Sequence, residues 1–260
     1  MKRGIVNGKN KKGSNRLIIN LRFVIILFSF WIFYFGTATA QLKSIEPYFG
    51  YSTALNKRLD VTKAIAYNGG ARIKFQIYND ASLRLHFGYK LFSIDQTNAI
   101  EQWKWKFWDE RYSKTIQSNL NAFKELSVEI GTIQKMDVIP VLLDFTYDYN
   151  VSDNFTLVPS IGGGVYFYTR RLYITESWTK SFDDINYDFS YSYRNFTPDK
   201  SGNPILLFGG MQMNYKLFEY FHLQCEVNYS HIFSTADSFG YKEFPFNDEL
   251  TFNFGINIIY

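Results

Sequence analysis

The sequence predicts an all-β fold: an eight-stranded antiparallel transmembrane β-barrel with four long extracellular loops and short periplasmic turns. Three observations predict it. A basic, then apolar, then small-residue leader opens the chain. Apolar and polar residues then alternate with period two in segments of about ten residues. The connections between those segments alternate short and long.

The leader comes first. Lys2, Arg3, Lys9, Lys11, Lys12 and Arg16 precede the run FVIILFSFWIFYF (23 to 35), and GTATA (36 to 40) supplies the small residues a signal peptidase reads. Residues 1 to 40 are expected to be a cleavable signal peptide and 41 to 260 a single barrel domain. An uncleaved anchor is the alternative, since residues 17 to 35 are almost long enough to span a bilayer; Arg22 inside that stretch and the A-x-A ending favour cleavage. The formal charge of the whole chain is +4, but seven of its 28 Lys+Arg and none of its 24 Asp+Glu precede Gln41. The exported part therefore carries 21 basic against 24 acidic residues, so the basicity of the whole chain gives no support to nucleic-acid binding and no nucleic-acid partner is expected. Cys225 is the only cysteine, so no intramolecular disulfide is available.

Eight segments follow. The first is SIEPYFGYST (44 to 53), with Phe49 and Tyr51 on its apolar face. In NGGARIKFQIY (68 to 78), Ala71, Ile73, Phe75 and Ile77 oppose Gly70, Arg72, Lys74 and Gln76; in SLRLHFGYKLF (82 to 92), Leu83, Leu85, Phe87, Tyr89 and Leu91 oppose Arg84, His86, Gly88 and Lys90. DVIPVLLDFTYDY (137 to 149) and FTLVPSIGGGVYFYTRR (155 to 171) are the fourth and fifth. Gly162, Gly163 and Gly164 relieve crowding or allow bending in the fifth, since no helix follows to make them a phosphate loop. PILLFGGMQMNYK (204 to 216), FHLQCEVNYSHIF (221 to 233) and ELTFNFGINIIY (249 to 260) complete the set. A soluble sandwich alternates too. The 20% aromatic content, with rings on the apolar faces near strand ends, favours a lipid-facing wall with interfacial girdles.

Connections 79 to 81, 150 to 154 and 217 to 220 are short, whereas 54 to 67, 93 to 136, 172 to 203 and 234 to 248 are long. With both termini in the periplasm, every long loop falls outside the cell. These features resemble the small outer-membrane β-barrel family typified by OmpA and OmpX, over residues 42 to 260. The stretch IPVLLDFTYDYNVSDNFTLVPSIGGGVYFY (139 to 168) resembles the family's paired strands and turn, and LTFNFGINIIY (250 to 260) its aromatic-ended last strand. The resemblance implies location in the outer membrane of a Gram-negative-type bacterium. It also implies that Phe252, Phe254, Ile256, Ile258 and Tyr260 form the signal read by the barrel-assembly machinery. It says little of function, because one barrel type serves many roles.

With polar faces inward, Glu46, Arg72, Lys74, Arg84, His86, Lys90, Asp144, Asp148, Lys216 and Glu226 line the interior. Eight strands leave room only for side chains, so these near-balanced charges are expected to plug the barrel as a salt-bridged core; a narrow ion path is the other reading. No cofactor or metal is expected. Asp183, Asp184 and Asp188 read as a solvated acidic loop. His231, with Ser230 and Ser234 nearby, is the only histidine placed for lipid chemistry, but Ser230 should point to the opposite face and no triad spacing is present.

The second loop carries EQWKWKFWDERY (101 to 112), in which Trp103, Trp105 and Phe107 alternate with lysines before Trp108. The alternation predicts that strands three and four rise as a hairpin, with KELSVEIGTIQKMD (124 to 137) returning as partner. Such a hairpin offers an edge for strand addition and aromatics for contact with an extracellular protein or glycan. Alternatively the tryptophans pack against the equally aromatic YDFSYSYRNF (187 to 196) as a lid. The leading expectation is a monomeric, non-enzymatic protein in contact with outer-membrane lipids, with a filled interior and aromatic loops for surface binding or adhesion. The alternatives are a small channel or apolar-solute transporter and, third, an outer-leaflet lipid-modifying enzyme.

Overall fold

A computed structural model of the protein describes residues 41–233 and 241–260. The expected signal peptide, 1 to 40, and Ser234 lie outside the described residues. In chain order the strands are β1 Gln41–Ala54, β2 Val61–Tyr78, β3 Ala81–Gln96, β4 Leu126–Tyr147, β5 Tyr149–Ser152, β6 Phe155–Phe182, β7 Tyr187–Phe196, β8 Lys200–Gly202, β9 Ile205–Phe218, β10 Phe221–Ile232 and β11 Asp248–Ile259. Eight of them close a ring, β1-β2-β3-β4-β6-β9-β10-β11, all neighbours antiparallel. β1 and β11 meet in the register Tyr48↔Gly255 and Phe49↔Phe254, so the aromatic-ended strand closes the seam.

The ring has a turn end and a loop end. At the turn end β2 and β3 join through Asn79 and Asp80, with Asn79 in the left-handed region (φ 40°), a conformation asparagine tolerates. Glu219 and Tyr220 link β9 to β10. At the loop end the first connection is shorter than predicted. β2 begins at Val61, because Ala64 and Ala66 already point inward in the strand period that places Arg72 and Lys74 there.

Outward residues form a continuous apolar band. On β4 it runs from Ile139 through Leu143 and Phe145 to Tyr147, all exposed, with half-buried Val141 between. Eight residue steps span about 27 Å along a strand. At a tilt near 40° that is about 20 Å along the barrel axis, comparable to the ~25 Å apolar band of membrane barrels. Just toward the loop end, outward polar groups take over: Asp137 pairs with Arg171, and His231 with Asp248.

The largest departure from expectation lies between β3 and β4. Residues 101 to 112 do not extend a strand. They belong to a helical segment comprising α1 (Ala99–Trp103), a π-helical turn Trp108–Tyr112 and α2 (Ser113–Ala122). The return segment is a strand as predicted, but its partner is β6, in unbroken register from Thr146↔Ser160 to Leu126↔Lys180. β6 runs 28 residues and pairs with β7 beyond the ring. A three-stranded sheet, β4-β6-β7, therefore stands on the barrel wall.

Candidate functional site

Inside the ring the charged residues form three groups along the axis. Arg84 is the hub of the middle one. Its Nη2 donates to Asp144 Oδ2 at 2.7 Å and to Glu226 Oε1 at 3.1 Å, and its Nη1 reaches Glu46 Oε2 at 3.4 Å and the Gln212 amide oxygen. Arg72 pairs with Glu226 and lies 3.6 Å from Glu46, its guanidinium 4.3 Å over the Tyr48 ring. His86 Nε2 is 2.9 Å from Asp144 Oδ1. Toward the turn end, Asp148 receives both Lys74 and Lys43. Toward the loop end, Lys90 pairs with Glu249, which also accepts the Tyr166 hydroxyl at 2.9 Å.

Of the ten residues predicted to line the interior, Lys216 is the exception: it is exposed at the turn end, past the last inward position of β9 that the wall covers. Tyr48, Lys43, Gln212 and Glu249 belong to these groups in addition to the predicted set. Parity alone identifies Glu249, since it shares a face with Thr251, Asn253 and Asn257, all buried. Tyr48 fits because Gly70 and Gly88, paired across β2 and β3, carry no side chain beneath it. A Cβ on Gly70 or Gly88 would stand 2.7 or 2.5 Å from its hydroxyl.

Buried charges are tolerable here because each has a hydrogen-bonded counter-charge in a water-poor interior. The remaining space between Tyr48, Arg72, His86, Lys90 and Tyr166 is about 30 Å³, room for roughly one or two waters. Nearer the loop end the inward residues turn apolar. Phe92, Met136, Val138, Leu206, Phe208 and Ile232 form a cluster into which Phe244 and Phe246, from the connection before β11, insert fully buried. Arg170 caps this layer, donating to Gln134 and Gln96 at 2.7 Å and to the Glu243 carbonyl at 3.0 Å, with its guanidinium 5.1 Å from the Trp103 ring. The bore is thus closed twice, by charge pairs and by an apolar layer.

The four aromatics predicted as an exposed surface behave differently from one another. Trp103 and Trp108 are buried, Trp105 is half-buried, and Phe107 is exposed. This corrects the expectation of a solvent-facing stripe. The reason is a helical period: Trp108, Tyr112, Ile116 and Leu120 recur every four residues and pack together on Ile174, Trp178, Leu126 and Val128 of the standing sheet. Tyr112 Oη lies 2.8 Å from Tyr193 Oη of β7. Burial, then hydrogen bonding to Glu176, pushes the Tyr112 hydroxyl well above the usual tyrosine range. The tryptophans therefore pack toward the sheet, as in the lid reading, and leave the other face of the sheet open.

On that open face β6 presents Thr175, Ser177 and Thr179, and β7 presents Ser190, Ser192 and Arg194. On the covered face Tyr187, Phe189, Tyr191 and Tyr193 of β7 form a ladder, with Tyr191 and Tyr193 stacked at 6.4 Å and Tyr191 stacked on Trp178 at 6.5 Å. All four rings remain 42% to 54% exposed, because the helix covers only the β4 side.

At the rim, His231 Nδ1 lies 2.5 Å from Asp248 Oδ1, and the Asn56 amide also reaches Asp248. Ser230, a predicted neighbour, is buried on the opposite face. Among the described residues no three His, Cys, Asp or Glu gather as a metal site, and Asp183, Asp184 and Asp188 are not such a group. Phe252, Phe254 and Ile256 sit exposed on the outer wall, Ile258 is half-buried beside them, and Tyr260 is exposed at the turn end.

A closed eight-stranded ring with a polar interior and an apolar exterior defines a membrane-barrel type of architecture. No family model matches the chain, and no curated protein matches it. Among solved structures it is similar to Neisserial surface protein A, at 11% identity and a TM-score of 0.43, over 85% of this chain and 99% of that one. It is also similar to the outer membrane protein OprG from Pseudomonas aeruginosa, at 13% identity and 0.40, over 85% and 94%. A major outer membrane protein from Thermus thermophilus aligns at 14% identity and 0.40, over 83% and 99%.

Proposed function

We propose that the protein is an outer-membrane β-barrel whose work is done outside the cell by its standing sheet and helical segment, as a non-enzymatic surface-binding or adhesion protein. The observation that carries the proposal is the contrast between a bore closed twice and a strand, β6, of 28 residues. Roughly ten residues suffice to cross a bilayer, so more than half of β6 serves something else. The turn end then faces the periplasm, and Phe252, Phe254, Ile256, Ile258 and Tyr260 serve as the strand read by the assembly machinery. The ligand class that suits a sheet with exposed tyrosines on one face and serines and threonines on the other is an extracellular protein or glycan. Lipid chemistry at His231 would need a nucleophile on the outer face, and Ser230 points into the barrel.

Adhesion of intact cells to immobilised glycans and matrix proteins tests this reading. Cells displaying the full protein are expected to bind above cells displaying a form in which a short turn replaces residues 174 to 195. Equal binding by the two, with both barrels folded, would contradict it.

A further inference from the structure

β7 is an edge strand, and its own sequence is self-complementary. It pairs with β6 on one side and with no described strand on the other. Edge strands are normally blunted by proline, lysine or a bulge. YDFSYSYRNF contains neither proline nor lysine, its register with β6 shows no shift, and every residue from Tyr187 to Arg194 is exposed. The only charges on the strand are Asp188 and Arg194. Their neighbours on β6 are Ser181 and Thr175, so neither is neutralised within the hairpin.

Laid antiparallel to a second copy of itself and centred on Tyr191, the strand sets Asp188 opposite Arg194 at both ends. Phe189 then faces Tyr193 twice, Ser190 faces Ser192 twice, and Tyr191 faces its own counterpart. Opposite charges and aromatic pairs directly across a ladder are stabilising, and like charges are not. Sliding the register by two residues in either direction loses both charge pairs. We propose that β7 pairs with β7 of a second copy of this chain in this register, joining the two standing sheets into one six-stranded sheet.

The geometry also fixes where the second copy resides. Antiparallel pairing of identical edges needs a two-fold axis perpendicular to the sheet. Because β4 and β6 pass unbroken from the barrel wall into the standing sheet, that perpendicular lies near the plane of the membrane. Rotation about it turns the second barrel upside down, into an apposed membrane. Two copies in one membrane are related by an axis along its normal, which brings the edges together parallel with the faces of the two sheets reversed, so Asp188 is level with Asp188 and Arg194 with Arg194 on opposite faces and neither charge meets its opposite. The charges therefore favour contact between cells over contact within one membrane. This inference rests on the surface-binding reading and specifies a partner for it.

Charge reversal provides the test, using cells that display the full chain and carry two fluorescent labels. Wild-type cells are expected to cluster with one another but not with cells lacking the protein. D188R cells and R194D cells should each fail to cluster with themselves, since each then opposes like charges. Mixed together they should cluster, because the arginine introduced in one variant then meets the aspartate introduced in the other. Folding of each variant is checked by its shifted mobility in unheated gels. Clustering of both single variants at the wild-type level, or failure of the folded variants to cluster when mixed, would overturn the proposal. If clustering fails in this way while the same cells still adhere to glycans or matrix proteins, this inference falls and the surface-binding reading stands.

Discussion

The closed ring and the sheet that stands on it share two strands, β4 and β6, yet solve opposite solvation problems. Along β4, the outward residues Ile139, Leu143 and Phe145 face the apolar band, while Asp144 is buried with Arg84 and His86. Toward the start of the same strand, Leu126 and Val128 pack under a helix and Ser127 and Glu129 face out. In the ring, polar groups are confined because lipid offers them no partners. In the standing sheet, apolar groups are confined because water is outside. The main exception is the aromatic ladder of β7, half-exposed in the water-facing part, with Ile130 and Phe182 exposed near it; the proposed function rests on that surface.

If the two regions differ in this way, substitutions should part them. Arg84→Ala is expected to have the largest effect, since it leaves Glu46, Asp144 and Glu226 buried around one fewer cation. Breaking a buried pair of this kind costs about 3–5 kcal/mol. Urea unfolding in detergent, followed by gel mobility, should show the whole barrel weakened. An unchanged midpoint would mean that water reaches the interior freely.

Trp108→Ala should cost about 3–5 kcal/mol, but within the helical segment alone, so limited proteolysis should cut near 99 to 122 while barrel mobility is unchanged. Phe107→Ala, one residue away and exposed, should stay within about 0.5 kcal/mol. Equal protease sensitivity of the two variants would return the aromatic run to the exposed stripe that its alternation suggests.

That pair of residues also shows what the sequence reveals and what it hides. The ring is legible because period two is unambiguous once Arg72, Lys74, Arg84 and Glu226 fall on one face of their strands, and Glu249 obeys the same parity. Residues 101 to 112 mislead because WKWKF alternates over five residues, too short a stretch to separate period two from a helical turn. The deciding signal is longer, in the i+4 series Trp108, Tyr112, Ile116 and Leu120, half of which lies past the segment that draws attention. The apolar upper layer is hidden for another reason. Phe244 and Phe246 enter the bore from a connection with no periodicity, and only tertiary contact with Phe92 and Tyr168 shows where they go. The partners of the standing sheet cannot be read from sequence either, since β4 could return beside the loop before it or beside the strand after it.

The smallest effect concerns the link between helix and sheet. Burial and the Glu176 contact raise the Tyr112 hydroxyl's pKa, so the folded state favours the neutral phenol. A group shifted upward contributes its stability fully below its unfolded value, about 10 for tyrosine, and loses it as pH rises through the folded value. Protease resistance of the helical segment should therefore be flat through neutral pH and fall above about pH 10. Tyr112→Phe should lower it by about 1 kcal/mol below that pH and remove part of the alkaline fall, so that the two proteins converge as pH rises. A decline beginning near neutral pH would point to a different group.

The central contrast, a closed ring serving an outward-facing sheet, is tested most directly by conductance of the purified, folded protein in planar bilayers. The charge pairs around Arg84 and the Phe244–Phe246 insertion predict a silent bilayer, with no reproducible open level at any holding potential. A steady, ion-selective open state in the wild-type protein would contradict the account, because it would place the function inside the barrel.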